Sequence, residues 1–278
     1  MKILITGATG LLGPYITVAA RAFGDVTTTS LSAGEQSCDL TDPNATARLI
    51  KMANPSIVIH TAGWTDVDGC EEDLERALAI NRDSAVNIVR VLDVDSLLIY
   101  ISTDQVYRDT CGMHREGDEL PVNNYGRSKL QGEQAACKHP HALILRTNFF
   151  GPSLTLGRQS LSDFIEANLR DETPTELFED VFFSPLHLKT LAGLVAESAC
   201  GRLEGVFNVG SRAGTSKANF AEMVAHRLDL SMACTHRSKS ADIANRAPRS
   251  LDLRLDVSRF EAVLGRAMPT LTEEVAKL

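Results

Sequence analysis

Apolar residues in the first half of the chain gather in short runs, separated by stretches that repeat every three to four positions. KILIT (2–6), DVTTTS (25–30), SIVIHTA (56–62), SLLIYIS (96–102) and HALILRTN (141–148) read as strands. Helices are expected over about 12–22, from Asp42-Pro43 to just before Asn54-Pro55, around 71–81 and on through 86–92, and from the segment holding Tyr125 and Lys129 to about 136. Asp42 followed by proline is an N-cap with proline at the first helical position. Continuously apolar strands separated by helices indicate a parallel sheet covered on both faces. The expected fold class is therefore α/β, a doubly wound parallel sheet. Past Phe150 the rhythm changes. GPSLTLGRQ (151–159) is loop-like, and ELFEDVFFSP (176–185) reads as an extended excursion. GVFNVG (205–210) reads as a strand returning to the main sheet, a helix is expected near 217–228, and the segment from Cys234 onward is mixed.

The stretch TGATGLLG (6–13) places Gly7, Gly10 and Gly13 directly after the first strand and at the start of a helix. Glycines permit a tight turn and close approach of a ligand to the backbone, and the helix start offers free N–H groups to a phosphate. With the parallel pattern behind it, this loop marks residues 1–150 as a Rossmann-type dinucleotide-binding domain, with the strand near 205–210 returning to its sheet. Residues 151–278 are expected to form a small, interwoven substrate-binding lobe. Cofactor contacts are assigned to Gly7, Thr9, Gly10, Leu11, Leu12 and Gly13. The second strand ends in TTTSLSAGEQ, without the acid that usually bonds the ribose of NAD; Glu35 comes late, and Ser30 and Ser32 are placed to meet a 2′-phosphate, with no adjacent arginine. The reading leans slightly to NADP and keeps NAD open. Asp39 and Leu40, in CDLTDP, are placed to meet the adenine.

Composition narrows the class. The 278 residues are 44% hydrophobic and 23% charged, with net charge −8 and pI about 5.4. Those are values of a globular protein, and the negative balance argues against bulk binding of nucleic acid. The six cysteines, at 38, 70, 111, 137, 200 and 234, show neither a C-x-x-C pair nor zinc spacing. They read as reduced thiols. The opening MKILITGATG lacks the features of a signal peptide, and no apolar run reaches membrane-span length. The expected location is the cytoplasm, with no membrane partner and no metal site.

PVNNYGRSKLQGE (121–133) sets Tyr125 and Lys129 four apart, on one face of a helix. A free phenol has a pKa near 10. A neighbouring ammonium together with an oxidised nicotinamide favours the phenolate and brings that value toward working pH. Thr103, at the carboxyl end of the fourth main strand, adds a hydroxyl where charge develops on a reacting oxygen.

TGATGLLG, CDLTDP, HTAGWTDVDGCE, YISTDQVY, PVNNYGRSKLQGE and ILRTNFFG, in that order, resemble the extended short-chain dehydrogenase/reductase superfamily. Within it the chain most resembles the dTDP-4-dehydrorhamnose reductase family, over nearly its whole length, with RSLDLRLDVSRFE (249–261) similar to that family's C-terminal segment except for Ser250 in place of proline. The resemblance implies an NAD(P)H-dependent oxidoreductase that reduces the 4-keto group of a nucleotide-linked deoxysugar, in dTDP-rhamnose and polysaccharide biosynthesis. It implies that Thr103, Tyr125 and Lys129 are catalytic: Tyr125 exchanges a proton with the carbonyl oxygen, Lys129 bonds the nicotinamide ribose, and Thr103 orients the carbonyl. It further implies that Ala62, Gly63, Thr65 and Asn81 line the cofactor. Substrate contacts fall to Asp104, Gln105, Asn148 and Arg249. For Arg249 and Arg254, a grip on the diphosphate competes with plain surface charge, and for Asp104 a contact with the sugar competes with capping of the strand end. Trp64 flanks the ligands or packs at the rim. His187 reads as a helix-start residue without a catalytic part. Related 4,6-dehydratases carry an acid at position 105, and the reductases usually an aromatic; Gln105 cannot act as a carboxylate base, which disfavours dehydration. A non-catalytic regulatory subunit of the same fold, and a sugar-nucleotide epimerase, stay open as alternatives. The oligomeric state is open, and a homodimer is compatible with all of this.

Overall fold

The computed structural model describes residues 1–31, 36–243 and 246–278. Seven parallel strands form the main sheet: β1 (Lys2–Thr6), β2 (Asp25–Ser30), β3 (Gln36–Ser37), β4 (Ile57–His60), β5 (Leu97–Thr103), β6 (Ala142–Thr147) and β7 (Gly205–Val209), in the order β7-β6-β5-β4-β1-β2-β3. Registers run Lys2 beside Asp25, Ile3 beside Ile57, Ile57 beside Leu97, Leu98 beside Ala142, and Leu143 beside Gly205. The excursion to β2 and β3 and the return through β4 reverse the strand order beside β1, so the carboxyl ends of β1 and β4 flank the crevice where doubly wound sheets bind ligands.

The strands are continuously apolar because alternate side chains feed two cores. Ile3, Ile5, Ile57, Ile59, Leu97, Ile99, Leu143 and Leu145 point to one face, against α1 (Gly13–Ala20) and α8 (Leu188–Cys200). Leu4, Val58, Leu98, Tyr100 and Ile144 point to the other, against α2 (Pro43–Ala53), α5 (Ser84–Val91) and α6 (Asn124–Ala136). Asp42 caps α2 by accepting from the Asn44 N–H at 2.8 Å, and Asn54, at φ 42°, ends it in the left-handed region.

The helix expected around 71–81 is broken. It runs as α3 (Val67–Glu72) and α4 (Leu74–Leu78), then widens into a π turn over Ala79–Asp83 before α5. Asp73, at φ −137°, leaves helical geometry and turns its carboxylate to cap α4, accepting from the Arg76 N–H at 3.0 Å.

The returning strand is β7, and the helix near 217–228 is α9 (Lys217–Leu228). The excursion at 176–185 resolves into two short strands, Thr175–Phe178 and Phe182–Phe183. Three helices beyond those expected also form: α7 (Leu161–Arg170), α10 (Ser258–Leu264) and α11 (Leu271–Val275). Phe150, Ile165, Phe183, Phe220, Val224, Leu253 and Leu271 build a third apolar cluster, with Phe220 edge-on to Phe150 (4.8 Å) and Phe183 (5.4 Å). Among the described residues, no helix is long and apolar enough to cross a membrane.

A buried ionic node joins β5, β6 and α6. Arg146 and Glu133 are each 3% exposed. The guanidinium grips the carboxylate through Nε (3.0 and 3.1 Å) and Nη2 (2.6 Å), while Nη1 donates to the Tyr107 hydroxyl (3.0 Å) and to Glu119. Glu133 also accepts from the Ser102 hydroxyl.

Candidate active site

The glycine loop leaves β1 where the backbone has no room for side chains. Gly7 sits at φ +68°, and a Cβ on it would come within 2.6 Å of the Ala62 nitrogen. A Cβ on Gly13 would meet the Gly7 carbonyl oxygen at 2.6 Å. Thr61 Oγ1 donates to the Thr6 carbonyl (2.6 Å), tying the ends of β4 and β1 together. Behind them His60 bonds Thr6 Oγ1 (2.7 Å) and Ser84 Oγ (3.1 Å), and burial lowers its imidazole to about 3. Helix α1 opens at Leu12 with no side-chain cap and no acid in its first turn, so its N–H groups and dipole are left for an anion. These features fit the pyrophosphate of a dinucleotide. Thr9 and Leu11 are half-buried at the turn and Leu12 is buried under it. Loop 151–158 comes over the same turn: Thr155 Oγ1 donates to the Gly10 carbonyl (3.3 Å) and Tyr15 Oη to the Pro152 carbonyl (2.6 Å). Asp39 is exposed, its carboxylate accepting from Thr41 N (2.9 Å) and Oγ1 (2.7 Å); Leu40 is buried and its carbonyl accepts from Asn87 Nδ2 (3.0 Å). Ser30 is buried at the end of β2, whereas Ser32 and Glu35 lie outside the described residues.

Thr103 ends β5, and α6 carries Tyr125 in its first turn with Lys129 one turn later. All three are at least 93% buried, at 6%, 7% and 5% exposure. Tyr125 packs with Cys70, Ala77, Trp64 and Val67. Burial raises its phenol well above 10, with Asp104 and Cys70 adding to the rise and a hydrogen bond with Thr103 opposing it. The ammonium of Lys129 donates one hydrogen bond to the Ile101 carbonyl (2.7 Å) and lies 4.1 Å over the Tyr100 ring. Burial lowers Lys129 to about 7, and Glu133 pulls it back up.

Gly63 and Thr65 are exposed and Ala62 half-buried, along the loop leaving β4. A Cβ on Gly63 would lie 3.1 Å from Asn81 Oδ1 and 3.8 Å from Lys129 Nζ. Asn81 is fully buried; its amide accepts from Trp64 N (2.8 Å) and donates to the Trp64 carbonyl (3.0 Å) and Ser128 Oγ (2.9 Å). Those bonds make it a brace between this loop and α6. Trp64 is half-buried, with Arg76 4.4 Å over its ring.

On the substrate side, Asp104 is 1% exposed and bonded at both oxygens, accepting from Thr103 Oγ1 (3.1 Å) and Asn148 Nδ2 (2.7 Å). Burial raises its carboxyl to about 6, against those hydrogen bonds and the charge of Lys217. Strand-end capping falls instead to Thr103, whose Oγ1 accepts from the Gln105 N–H at 3.2 Å. An ionised Asp104 can only accept, so it holds the Thr103 hydroxyl as a hydrogen-bond donor, and protonation of Asp104 removes that demand on the Thr103 hydrogen. Arg249, expected at the diphosphate, grips Asp68 instead at 3.0 and 2.8 Å, and the Asp68 carboxyl is lowered to about 2, chiefly by that contact. Arg254 pairs with Asp252 at 3.0 and 2.7 Å. His187 caps α8, accepting from Lys189 N at 3.1 Å.

Two cations escaped the sequence reading. Lys217, at the start of α9, is near enough to Asp104, Arg246 and Arg249 for their charges to act on it, and burial lowers its ammonium. Arg246 lies 4.9 Å over the Phe178 ring and is lowered by burial and by Arg249. Neither makes an ion pair or side-chain hydrogen bond among the described residues. They stand about 90 and 120 residues from Tyr125, so no local spacing connects them to it.

A family model described as "RmlD substrate binding domain" matches residues 1–278. The chain is 31% identical to a probable low-salt glycan biosynthesis reductase of Haloferax volcanii, over 100% of this chain and 97% of the relative. It is 34% identical to a dTDP-4-dehydrorhamnose reductase of Mycolicibacterium smegmatis, over 79% of this chain and 68% of the relative. The structure of dTDP-4-dehydrorhamnose reductase from Bacillus anthracis in complex with NADP shares the fold, with a TM-score of 0.90 at 22% identity, covering 100% of this chain and 98% of that one.

Proposed function

The chain belongs to the RmlD substrate-binding-domain family, and from that premise we propose that it uses NADPH to reduce the 4-keto group of a nucleotide-linked deoxysugar. The observation that carries the site assignment is the convergence of Thr103, Tyr125 and Lys129 at the carboxyl end of β5, with Lys129 Nζ beside Gly63 at the rim of the glycine-loop crevice. When bound, the nicotinamide supplies the hydride. The protein's own groups do the rest. Tyr125, held protonated by its burial, donates its phenolic proton to the carbonyl oxygen as negative charge develops there. Thr103 orients that oxygen by a hydrogen bond. Lys129 holds the cofactor's ribose, and Asn81 keeps the loop after β4 and helix α6 in register for it. Gly7, Gly10 and Gly13 receive the pyrophosphate, and Asn148 and Asp104 face the sugar. Lys217 and Arg246, which make no ion pair among the described residues, attract the substrate's phosphates.

Purified protein mixed with NADPH and dTDP-4-dehydrorhamnose tests this by the loss of reduced-nicotinamide absorbance. Stoichiometric oxidation of NADPH is the expected result. Tight cofactor binding without oxidation of any 4-keto nucleotide sugar points to the non-catalytic alternative, and tightly held NAD with no net consumption to the epimerase.

A further inference from the structure

The turn after β5 carries an amide whose orientation is fixed by its surroundings. An amide's oxygen and nitrogen are told apart by their hydrogen-bond partners. The Gly126 backbone N–H can only donate, so the Asn123 atom it meets at 2.8 Å is the oxygen, Oδ1. The Pro248 carbonyl can only accept, so the Asn123 atom at 2.9 Å is the nitrogen, Nδ2. That same Nδ2 donates at 3.1 Å to Gln105, which must present its oxygen, Oε1. The remaining atom of the Gln105 amide is the NH2 group, which makes no hydrogen bond among the described residues. Gln105 is half-buried, its own N–H is bound to Thr103 Oγ1, and its carbonyl is pressed against Gly126, where a Cβ would approach to 2.1 Å. It therefore sits between the catalytic hydroxyl and the residue that follows Tyr125.

Building on the reductase reading above, we propose that Gln105 presents its NH2 group to the sugar as a fixed hydrogen-bond donor and so selects substrates with an oxygen acceptor, a carbonyl or hydroxyl, at the position it faces. Asn123 acts through Gln105 as a positioning residue: it ties the turn after β5 to the start of α6 and, through Pro248, to the lobe segment carrying Arg249. The Gln105 NH2 group is not among the buried side-chain atoms that lack a partner, so it is open to an acceptor brought by a ligand.

The test exchanges one atom. Gln105→Glu keeps the oxygen that receives Asn123 and replaces the NH2 with oxygen, while Gln105→Met removes both. NADPH oxidation with dTDP-4-dehydrorhamnose is measured between about pH 5 and pH 8, which brackets the titration of a half-buried glutamate. The ionisable groups around the turn are Asp104 on the turn itself, Tyr125 on α6, Arg249 on the lobe segment and Lys217 on α9. All are shared with the wild type, so the readout is the ratio of variant to wild type. Gln105→Glu should lose about 10- to 100-fold in kcat/KM near pH 8 and regain much of it toward pH 5, where the protonated acid again donates; Gln105→Met should lose about 10-fold at every pH. Wild-type kcat/KM in Gln105→Glu at all pH values, or an equal fall in both variants with no change of ratio with pH, overturns the proposal. Binding of the reduced sugar nucleotide, measured by calorimetry, separates this inference from the reading it builds on. If the wild type does not oxidise NADPH but Gln105→Glu still shows the pH-dependent loss of affinity, the reduction falls and the donor assignment stands. Absence of both turnover and binding in the wild type overturns both.

Discussion

Glu133→Gln keeps the shape of a buried side chain and removes one charge, which makes it a sharp probe of how the active site is supported. Glu133 holds Ser102 and receives Arg146 through Nε and Nη2, with both members of the pair 3% exposed. Breaking a buried pair from one side costs about 3–5 kcal/mol, because the surviving charge stays buried. Glu119, whose side chain is 22% exposed, still neutralises part of the guanidinium, so the lower end, about 3 kcal/mol, is expected. For a chain of this size that corresponds to a fall in Tm of about 5 °C. A second readout separates support from chemistry. Glu133 is one helical turn from Lys129 and raises its ammonium, so without that charge the group near 7 moves to lower pH. The sign follows directly: a group lowered further loses its proton earlier as pH rises, and the limb of the kcat profile that Lys129 contributes shifts to the acid side. Denaturant unfolding and a pH profile of NADPH oxidation measure the two effects on one protein. Adding Arg146→Met should recover part of the stability, since the buried guanidinium is gone and the carboxylate left behind, Glu119, is partly exposed. Unfolding within about 1 kcal/mol of wild type, as for an ordinary surface change, with an unmoved limb, would refute the reasoning.

Tyr125→Phe should lower turnover about 10²-fold or more while NADPH affinity is kept, as for loss of a general acid; near-normal turnover in steady-state kinetics removes Tyr125 from the mechanism. Gly7→Ala forces a side chain into the left-handed region and against the Ala62 backbone, so NADPH affinity read by fluorescence titration should fall about 10-fold or more; unchanged affinity means the loop does not hold the cofactor. Because protonated Asp104 releases the Thr103 hydroxyl, kcat should fall as pH rises through about 6, and Asp104→Asn should flatten that limb. A limb that persists in Asp104→Asn assigns it to another group.

The sheet was legible because β4, β5 and β6 are buried on both faces and so show as unbroken apolar runs. Tyr125 and Lys129 were legible because four residues is one turn of helix. The break at Asp73 was not, since the same carboxylate serves equally well inside a polar helix face or as a cap, and only tertiary context chooses. Helix α7 had a readable start in Ser160 and Asp163, which form a capping box. Lys217 and Arg246 reach the site only through the folded lobe, and no local spacing foretells that.

The π turn at Ala79–Asp83 also limits how this chain can change length. Each residue advances an α-helix by 100°. Deleting one residue there would restore regular winding and swing Asn81 away from Trp64 and Ser128, or rotate the apolar face of α5 off the sheet. Tyr100, whose hydroxyl donates to the Asn81 carbonyl at 2.8 Å, would lose its acceptor in the same step. Substitutions along the turn keep this geometry, but a single-codon deletion does not. The segment between α4 and α5 is thus a fixed-length spacer, in contrast to the surface loops, where chains of this fold can absorb insertions and deletions.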